Sequence, residues 1–332
     1  MAILARGRFD VRDYLESVTR VRRTTASQRD GHREFTISCP SCGRLDKVMV
    51  SETGRWTCYS EGIGGTFPAL MALLEDVTER EAWVRWLDGQ SRRLGSRVVA
   101  VEPAPVPEPV RLPEDFEPVW DAAGNRWNVP DYLTKRGLSK ETARDFGVGF
   151  CRRGPYGHRL LFPILHAGEL VGFQARAMRG DVEPKMLNPN FPKSRYLIGH
   201  DFAVLAEQVL VVEGPIDVLR LAQKGHVAVG TMGRKLSTAQ VHLLLLAGIG
   251  SIVLLPDGDD PGAWLAALES FDLFEGHEVA VSIGWLPEGR DPGDATRAQV
   301  SAALAGARPP TARDRREIRR GRIPMAGAVD AT

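Results

Sequence analysis

Hydrophobic and polar positions change rhythm along the chain. From residue 205 onward, short apolar runs alternate with amphipathic stretches: QVLVVEG, PIDVLRLAQKG, VAVGTMG, STAQVHLLLLAG, GSIVLLPDG, DPGAWLAALESFDLFEG and HEVAVSIGWLP. Apolar strands alternating with amphipathic helices predict βαβ units on a mostly parallel sheet. Near the N-terminus, the strand-like runs REFTISC, DKVMVS and GRWTCYS precede two helical stretches, TFPALMALLE and EREAWVRWL, whose apolar residues recur three and four apart. That pattern predicts a small β-rich module with helices behind it. Between the two, residues 114–204 read as mixed α/β, with HRLLFPIL and ELVGFQARAM as paired strands.

Composition divides these blocks. Prolines at 103, 105, 107, 109 and 113 favour an extended, semi-rigid spacer, so 96–113 is read as a linker between a module at 1–95 and a mixed α/β subdomain at 114–204. The parallel-sheet domain then occupies 205–300. After it, Arg308, Arg313, Arg315, Arg316, Arg319, Arg320 and Arg322 crowd a segment with few apolar residues. The tail 301–332 is therefore expected to be disordered when free, either as a solubilising terminus or as a phosphate-contacting arm. With 332 residues, 43% of them hydrophobic and 26% charged, the chain is long and apolar enough for real cores, which excludes wholesale disorder. A formal charge of +1 provides no global field toward nucleic acid, so any such binding must use local patches. No apolar run approaches the ~20 residues of a membrane span, and the first twenty residues mix acids with arginines. The expectation is a cytoplasmic protein without membrane contact.

In a reducing compartment, closely spaced cysteines point to metal before disulfides. Cys39 and Cys42 form a C-x-x-C, Cys58 follows on the facing hairpin, and Glu61 lies three residues further on. Three thiolates at this spacing suit tetrahedral Zn²⁺, with Glu61 as fourth ligand and His32 as the other local candidate. A ribbon held by its own packing is the competing reading. Cys151 stands alone and reads as a buried apolar residue.

The second chemical signal is acidic. Glu213 ends one predicted strand, Asp257 and Asp259 follow another, and Asp291 follows a third, so all four fall beyond the carboxyl ends of parallel strands. Open α/β sheets bind ligands at that edge. Carboxylates gathered there repel one another unless cations neutralise them, and hard oxygen ligands favour Mg²⁺ or Mn²⁺. Asp260 reads as a helix cap; Asp217 reads equally well as a cap or a member of the cluster. The segment GTMGRKLST lacks the G-x-x-x-x-G-K-[ST] spacing of a phosphate loop, and its glycines at 230 and 233 suit a close approach at the sheet edge.

These residues carry a family resemblance. EGPIDVL followed by LLPDGDDPG resembles the TOPRIM domain, in which a glutamate and an Asp-x-Asp pair hold divalent metal. YLTKRGLSKETARDFGVGF, HRLLFPIL, GFQARAM and PKMLNP resemble successive blocks of the bacterial, DnaG-like DNA primase catalytic core, and SCPSCG…WTCYSEGIGG is similar to that family's zinc ribbon. The resemblance spans about residues 35–300 and implies zinc ribbon, basic subdomain and TOPRIM in that order. It implies metal-dependent synthesis of RNA primers on single-stranded DNA from NTPs, in phage, plasmid or bacterial replication. Glu213, Asp257, Asp259 and Asp291 would be catalytic, Glu213 either as ligand or as base. Arg159, Arg176, Lys185, Asn188 and Lys193 would contact nucleotide or template. Trp56, with Arg44 and Arg55, would either stack on template or build the ribbon core. Three departures stand out: Cys42 and Glu61 replace the family's usual His and Cys, Met186 replaces a Tyr, and the family's helicase-contacting domain has no counterpart, so the resemblance does not by itself imply coupling to a replicative helicase through that domain. A non-catalytic single-strand-binding adaptor and a TOPRIM nuclease are the competing expectations.

Overall fold

The computed structural model describes residues 10–26, 32–86 apart from 53, 62, 80 and 84, and 110–324. Most of the Pro-rich linker lies outside the described residues.

The N-terminal module is a five-stranded antiparallel sheet in sequential order, β1 (Arg23–Ala26), β2 (Arg33–Ile37), β3 (Val48–Ser51), β4 (Trp56–Cys58) and β5 (Ile63–Gly65). Alternation sets its faces: Phe35 and Ile37 on β2 and Val48 and Val50 on β3 point inward. Trp56 completes this core, its indole N–H donating to the Thr66 carbonyl at 3.1 Å, so of its two expected roles the core role holds. Helix Phe67–Glu75 and helix Val11–Val18 cover the sheet. Asp10 caps the latter by accepting the N–H groups of Arg12 and Asp13.

Next come β6 (Phe116–Pro118), a small hairpin β7 (Trp120–Asp121) and β8 (Arg126–Trp127), then β9 (Gly149–Cys151), β10 (Arg159–His166), β11 (Glu169–Ala177) and β12 (Met186–Leu187). The antiparallel order is β12-β11-β10-β9-β6. The expected pairing of HRLLFPIL with ELVGFQARAM is the β10–β11 hairpin, running from Arg159 opposite Ala177 to His166 opposite Glu169.

The parallel sheet has the order β14-β13-β15-β16, from β13 (Gln208–Val212), β14 (Ala228–Gly230), β15 (Ser251–Leu254) and β16 (Ala280–Ile283). Helices Pro215–Gln223, Thr238–Leu246 and Pro261–Asp272 connect successive strands. Their starts are written locally: Pro215 and Pro261 occupy the first helical position, and Ser237 with Gln240 forms a capping box. Asp260 caps its helix by accepting the Gly262 N–H, as expected. The antiparallel and parallel sheets share one core, in which Phe150, Leu160 and Phe162 pack with Leu210, Val212 and Val253.

The arginine-rich tail corrects one expectation. Rather than being disordered from 301, the chain forms helices Arg297–Ala305 and Ala312–Arg319, and the rest of the expected tail, 325–332, lies outside the described residues. Ile318 is buried with Trp264 and Leu268. Arg308 pairs with buried Asp314 and lies 4.5 Å above the Trp285 ring, and Arg315 binds Asp272 at 2.6 Å. Several of the arginines thus have acidic or aromatic partners, which is why low hydrophobicity misled.

Candidate metal and nucleotide site

The register of the parallel sheet gathers the acids. Val211 pairs with Leu254, and Leu254 with Ile283, so β13, β15 and β16 end level. Glu213 leaves β13, the loop carrying Asp257 and Asp259 leaves β15, and the loop carrying Asp291 leaves β16. The last two loops are tied together: the Gly258 N–H donates to the Arg290 carbonyl at 3.0 Å. A Cβ on Gly258 would sit 2.5 Å from the Pro287 oxygen, so only glycine permits this approach. On the other side the Met232 N–H, just after the Gly230 strand end, donates to the Glu213 carbonyl. Glu213, Thr231, Arg234 and Asp257 line a small pocket there.

Electrostatics show how closely the acids crowd. Burial, then the charges of Asp291, Asp217 and Glu213, push Asp257 up to about 7. Asp291 is raised by its own desolvation and by Asp294 and Asp259, with Arg136 and Lys185 opposing. Asp217 is pushed up to about 6 by burial and by Asp291, against a hydrogen bond from the Gly293 N–H at 3.1 Å. Asp217 therefore belongs to the cluster while also tying its helix to the Asp291 loop. Carboxylates that resist ionising side by side are a fitting donor set for a hard divalent cation.

Cationic groups approach from the antiparallel subdomain. Tyr132 accepts from Arg176 Nε at 2.9 Å and from Arg136 Nε at 3.2 Å. Burial raises this phenol, but the two guanidinium bonds outweigh it and hold it below its ordinary value. The field of Arg176 reaches Asp217, and those of Arg136 and Lys185 reach Asp291, so these three side chains rim the acids. Neither Tyr132 nor Arg136 was singled out by sequence; only the packing of helix Asp131–Lys135 against β11 brings them here. Lys193 is exposed in the turn Lys193–Arg195, whose carbonyl accepts from Gln240. Asn188 is half-buried, and its side-chain oxygen has no hydrogen-bond partner among the described residues.

Arg159 corrects a second expectation. It is 2% exposed and donates to the Pro184 carbonyl at 2.6 Å, so it braces the loop before β12 and offers no free guanidinium to phosphate.

In the N-terminal module, Cys39, Cys42, Cys58 and Glu61 place one ligand atom each within 4.8 Å of one another. The Cys42 N–H donates to the Cys39 sulfur at 3.4 Å. Burial raises Cys58, but backbone N–H groups of Glu61 and Ser60 and the neighbouring thiols more than offset it, favouring a thiolate. Three sulfurs and one carboxylate in this arrangement fit tetrahedral zinc. His32 is excluded as the fourth ligand because it faces Glu52 at 3.1 Å and Glu207 at 3.5 Å. Cys151 is buried, as its sequence context suggested.

Comparison with known proteins agrees with the geometry. Residues 210–296 match the Toprim-like family. A Pseudomonas putida DNA primase is 33% identical over 227 residues, covering 52% of this chain and 33% of that protein. The chain is similar to bacterial DNA primases of the DnaG type. A Deinococcus radiodurans DNA primase is 33% identical over 225 residues, 53% of this chain and 39% of the relative. This primase-like chain thus matches 33% to 39% of the length of these curated relatives. Among solved structures, a DnaG primase catalytic domain bound to ssDNA is 27% identical, covers 54% of this chain and 71% of its own, and has a TM-score of 0.49. Among the described residues no helix is long and apolar enough to cross a membrane.

Proposed function

We propose that the chain synthesises short RNA primers on single-stranded DNA, joining a primer 3′-hydroxyl to the α-phosphate of an incoming nucleoside triphosphate with release of pyrophosphate. The observation that carries this reading is the acidic edge of the parallel sheet, where Glu213, Asp257, Asp259 and Asp291 meet under a rim of Arg136, Arg176 and Lys185.

Mg²⁺ or Mn²⁺ held by the four acids would supply activation of the attacking oxygen and neutralisation of the leaving phosphates. The protein's own residues divide the remaining work. The Gly258 loop holds Asp257 and Asp259 against the Asp291 loop, fixing the donor spacing before ligand arrives. Arg176 and Arg136, spread by their shared bond to Tyr132, present planar donors suited to triphosphate oxygens. Lys185, exposed beside them, would add a positive charge for template or nucleotide, and exposed Lys193 and half-buried Asn188 would be further contacts for nucleotide or template. Zinc on Cys39, Cys42, Cys58 and Glu61 would brace the turns of the N-terminal module, which would engage template. The partners are then single-stranded DNA, NTPs and the growing primer, with a replicative helicase as the class of protein that would deliver template. The setting would be the cytoplasm.

The test is primer synthesis with radiolabelled NTPs on a panel of single-stranded templates in Mg²⁺ and in Mn²⁺, with Asp257→Ala as control. Template-dependent RNA products that vanish in the variant support the reading. Metal-independent DNA binding without products would instead indicate an adaptor, and degradation of labelled DNA in Mn²⁺ a nuclease.

A further inference from the structure

A second group of metal-ligating side chains lies away from both sites described above. His166 ends β10, while His200 and Asp201 open the short helix His200–Ala203. One ligand atom from each falls within 4.8 Å of the others. Trp83 of the N-terminal module covers them, its ring centroid 5.6 Å from that of His200 and 5.7 Å from that of His166. We propose that His166, His200 and Asp201 form a binding site for a divalent transition ion, Zn²⁺ by its ligand chemistry, at the junction of the N-terminal module and the catalytic core.

Hydrogen bonding selects the donor atoms. Nε2 of His200 lies 3.2 Å from the Leu243 carbonyl, which can only accept, so that nitrogen carries the proton and Nδ1 keeps a lone pair. The His200 side chain is 1% exposed, and its Nδ1 has no hydrogen-bond partner among the described residues. The same holds for the buried Nδ1 of His166. A buried lone pair without a donor is costly to leave unmet.

Asp201 supplies the charge. Its two oxygens accept the N–H groups of Ala167 and Gly168 at 3.2 and 3.0 Å, which fixes the carboxylate and leaves each oxygen a free lone pair. His200 Nδ1 stands 3.7 Å from Asp201 Oδ1. That is too long for a hydrogen bond. It is close to the roughly 3.4 Å between neighbouring ligand atoms around tetrahedral zinc with bonds of about 2.1 Å. Glu79 adds a second carboxyl nearby: a Cβ on Gly168, whose N–H binds Asp201, would lie 2.6 Å from its Oε2. A cation could take Glu79 or water as its fourth ligand. Two imidazoles and carboxylate suit zinc over the hard cations expected at the sheet edge.

The test is the zinc content of the full chain, wild type against His166→Phe, His200→Phe and Cys39→Ser, with circular dichroism to confirm folding. Phenylalanine keeps a ring beneath Trp83 while removing the ligand. Each folded Phe variant should hold one equivalent less than wild type, independently of any zinc lost in Cys39→Ser. Unchanged zinc in the folded Phe variants overturns the proposal. Should those variants not fold, zinc-edge X-ray absorption of the wild type decides. The cysteine site contains no imidazole, so imidazole outer-shell scattering arises only from the histidine site, and its absence overturns the proposal.

Discussion

Replacing Asp257 by Asn should stabilise the metal-free protein while abolishing primer synthesis. Asp257 rises from 3.8 to about 7 because burial and the charges of Asp291, Asp217 and Glu213 disfavour its ionised form. Such a rise corresponds to about 4 kcal/mol against the carboxylate, and because the side chain is partly open to solvent, screening reduces this to about 2 kcal/mol. The sign follows from a folded value above the unfolded one. Wild type keeps this contribution below pH 4 and loses it as pH climbs through 7, whereas the neutral Asn loses nothing. In EDTA at pH 8, Asp257→Asn should therefore melt about 4–8 °C above wild type, and the gap should close toward pH 4. Adding Mg²⁺ should raise the wild-type midpoint and move the variant less, narrowing the gap from the other side. Thermal denaturation of both proteins across that pH range, with and without Mg²⁺, is sufficient. A variant no more stable than wild type at pH 8, or a gap independent of pH, would refute the claim that the acids crowd one another.

Other outcomes follow from single contacts. Gly258→Ala places a Cβ 2.5 Å from the Pro287 oxygen and should cut primer synthesis at least tenfold, with near-normal content of secondary structure by circular dichroism. Tyr132→Phe removes the hydroxyl bridging Arg136 and Arg176, and steady-state kinetics should show a raised KM for NTP with a smaller change in kcat. Ile318→Ala should cost about 2–4 kcal/mol in urea unfolding, because Ile318 is buried against the Trp264 cluster; a disordered tail would give no change. Cys39→Ser should release the zinc of the N-terminal module, detected by elemental analysis, and leave the parallel-sheet core folded.

The architecture was legible wherever local periodicity and spacing agree. Runs such as QVLVVEG and GSIVLLPDG have the length and β-branched content of buried strands, and the acids directly after them could only fall at the carboxyl edge. What escaped the sequence depends on contacts between distant segments. Asp217 in a first helical turn reads equally well as a helix-terminus acid; its place in the cluster rests on a bond to Gly293, 76 residues away. Tyr132 and Arg136 come from a separate subdomain and reach the acids by packing. Arg159 was assigned to nucleotide or template by the family resemblance of its block, and nothing local shows that its guanidinium will be buried on the Pro184 carbonyl. The tail misled for a related reason: helix Ala312–Arg319 has one deeply buried apolar residue, its Arg315 meets Asp272, and Arg322 just past its end meets Glu317, pairings that composition cannot display.

The same contacts constrain the order in which the site can fill. Seven acids (Glu213, Asp217, Asp257, Asp259, Asp260, Asp291 and Asp294) act on one another at the sheet edge, opposed by Arg136, Arg176, Lys185 and Lys224. Even with Asp217 and Asp257 partly protonated near neutral pH, that balance is not positive, and a triphosphate entering first would meet net repulsion. Two divalent cations add four positive charges and reverse the sign. Cation binding should therefore precede or accompany nucleotide binding, and NTP affinity should rise steeply with Mg²⁺ while depending only modestly on monovalent salt, since few cationic side chains rim the site. The near-zero net charge of the whole chain conceals this arrangement, because the excess of acid at this edge is offset in the sum by cationic side chains elsewhere in the sequence.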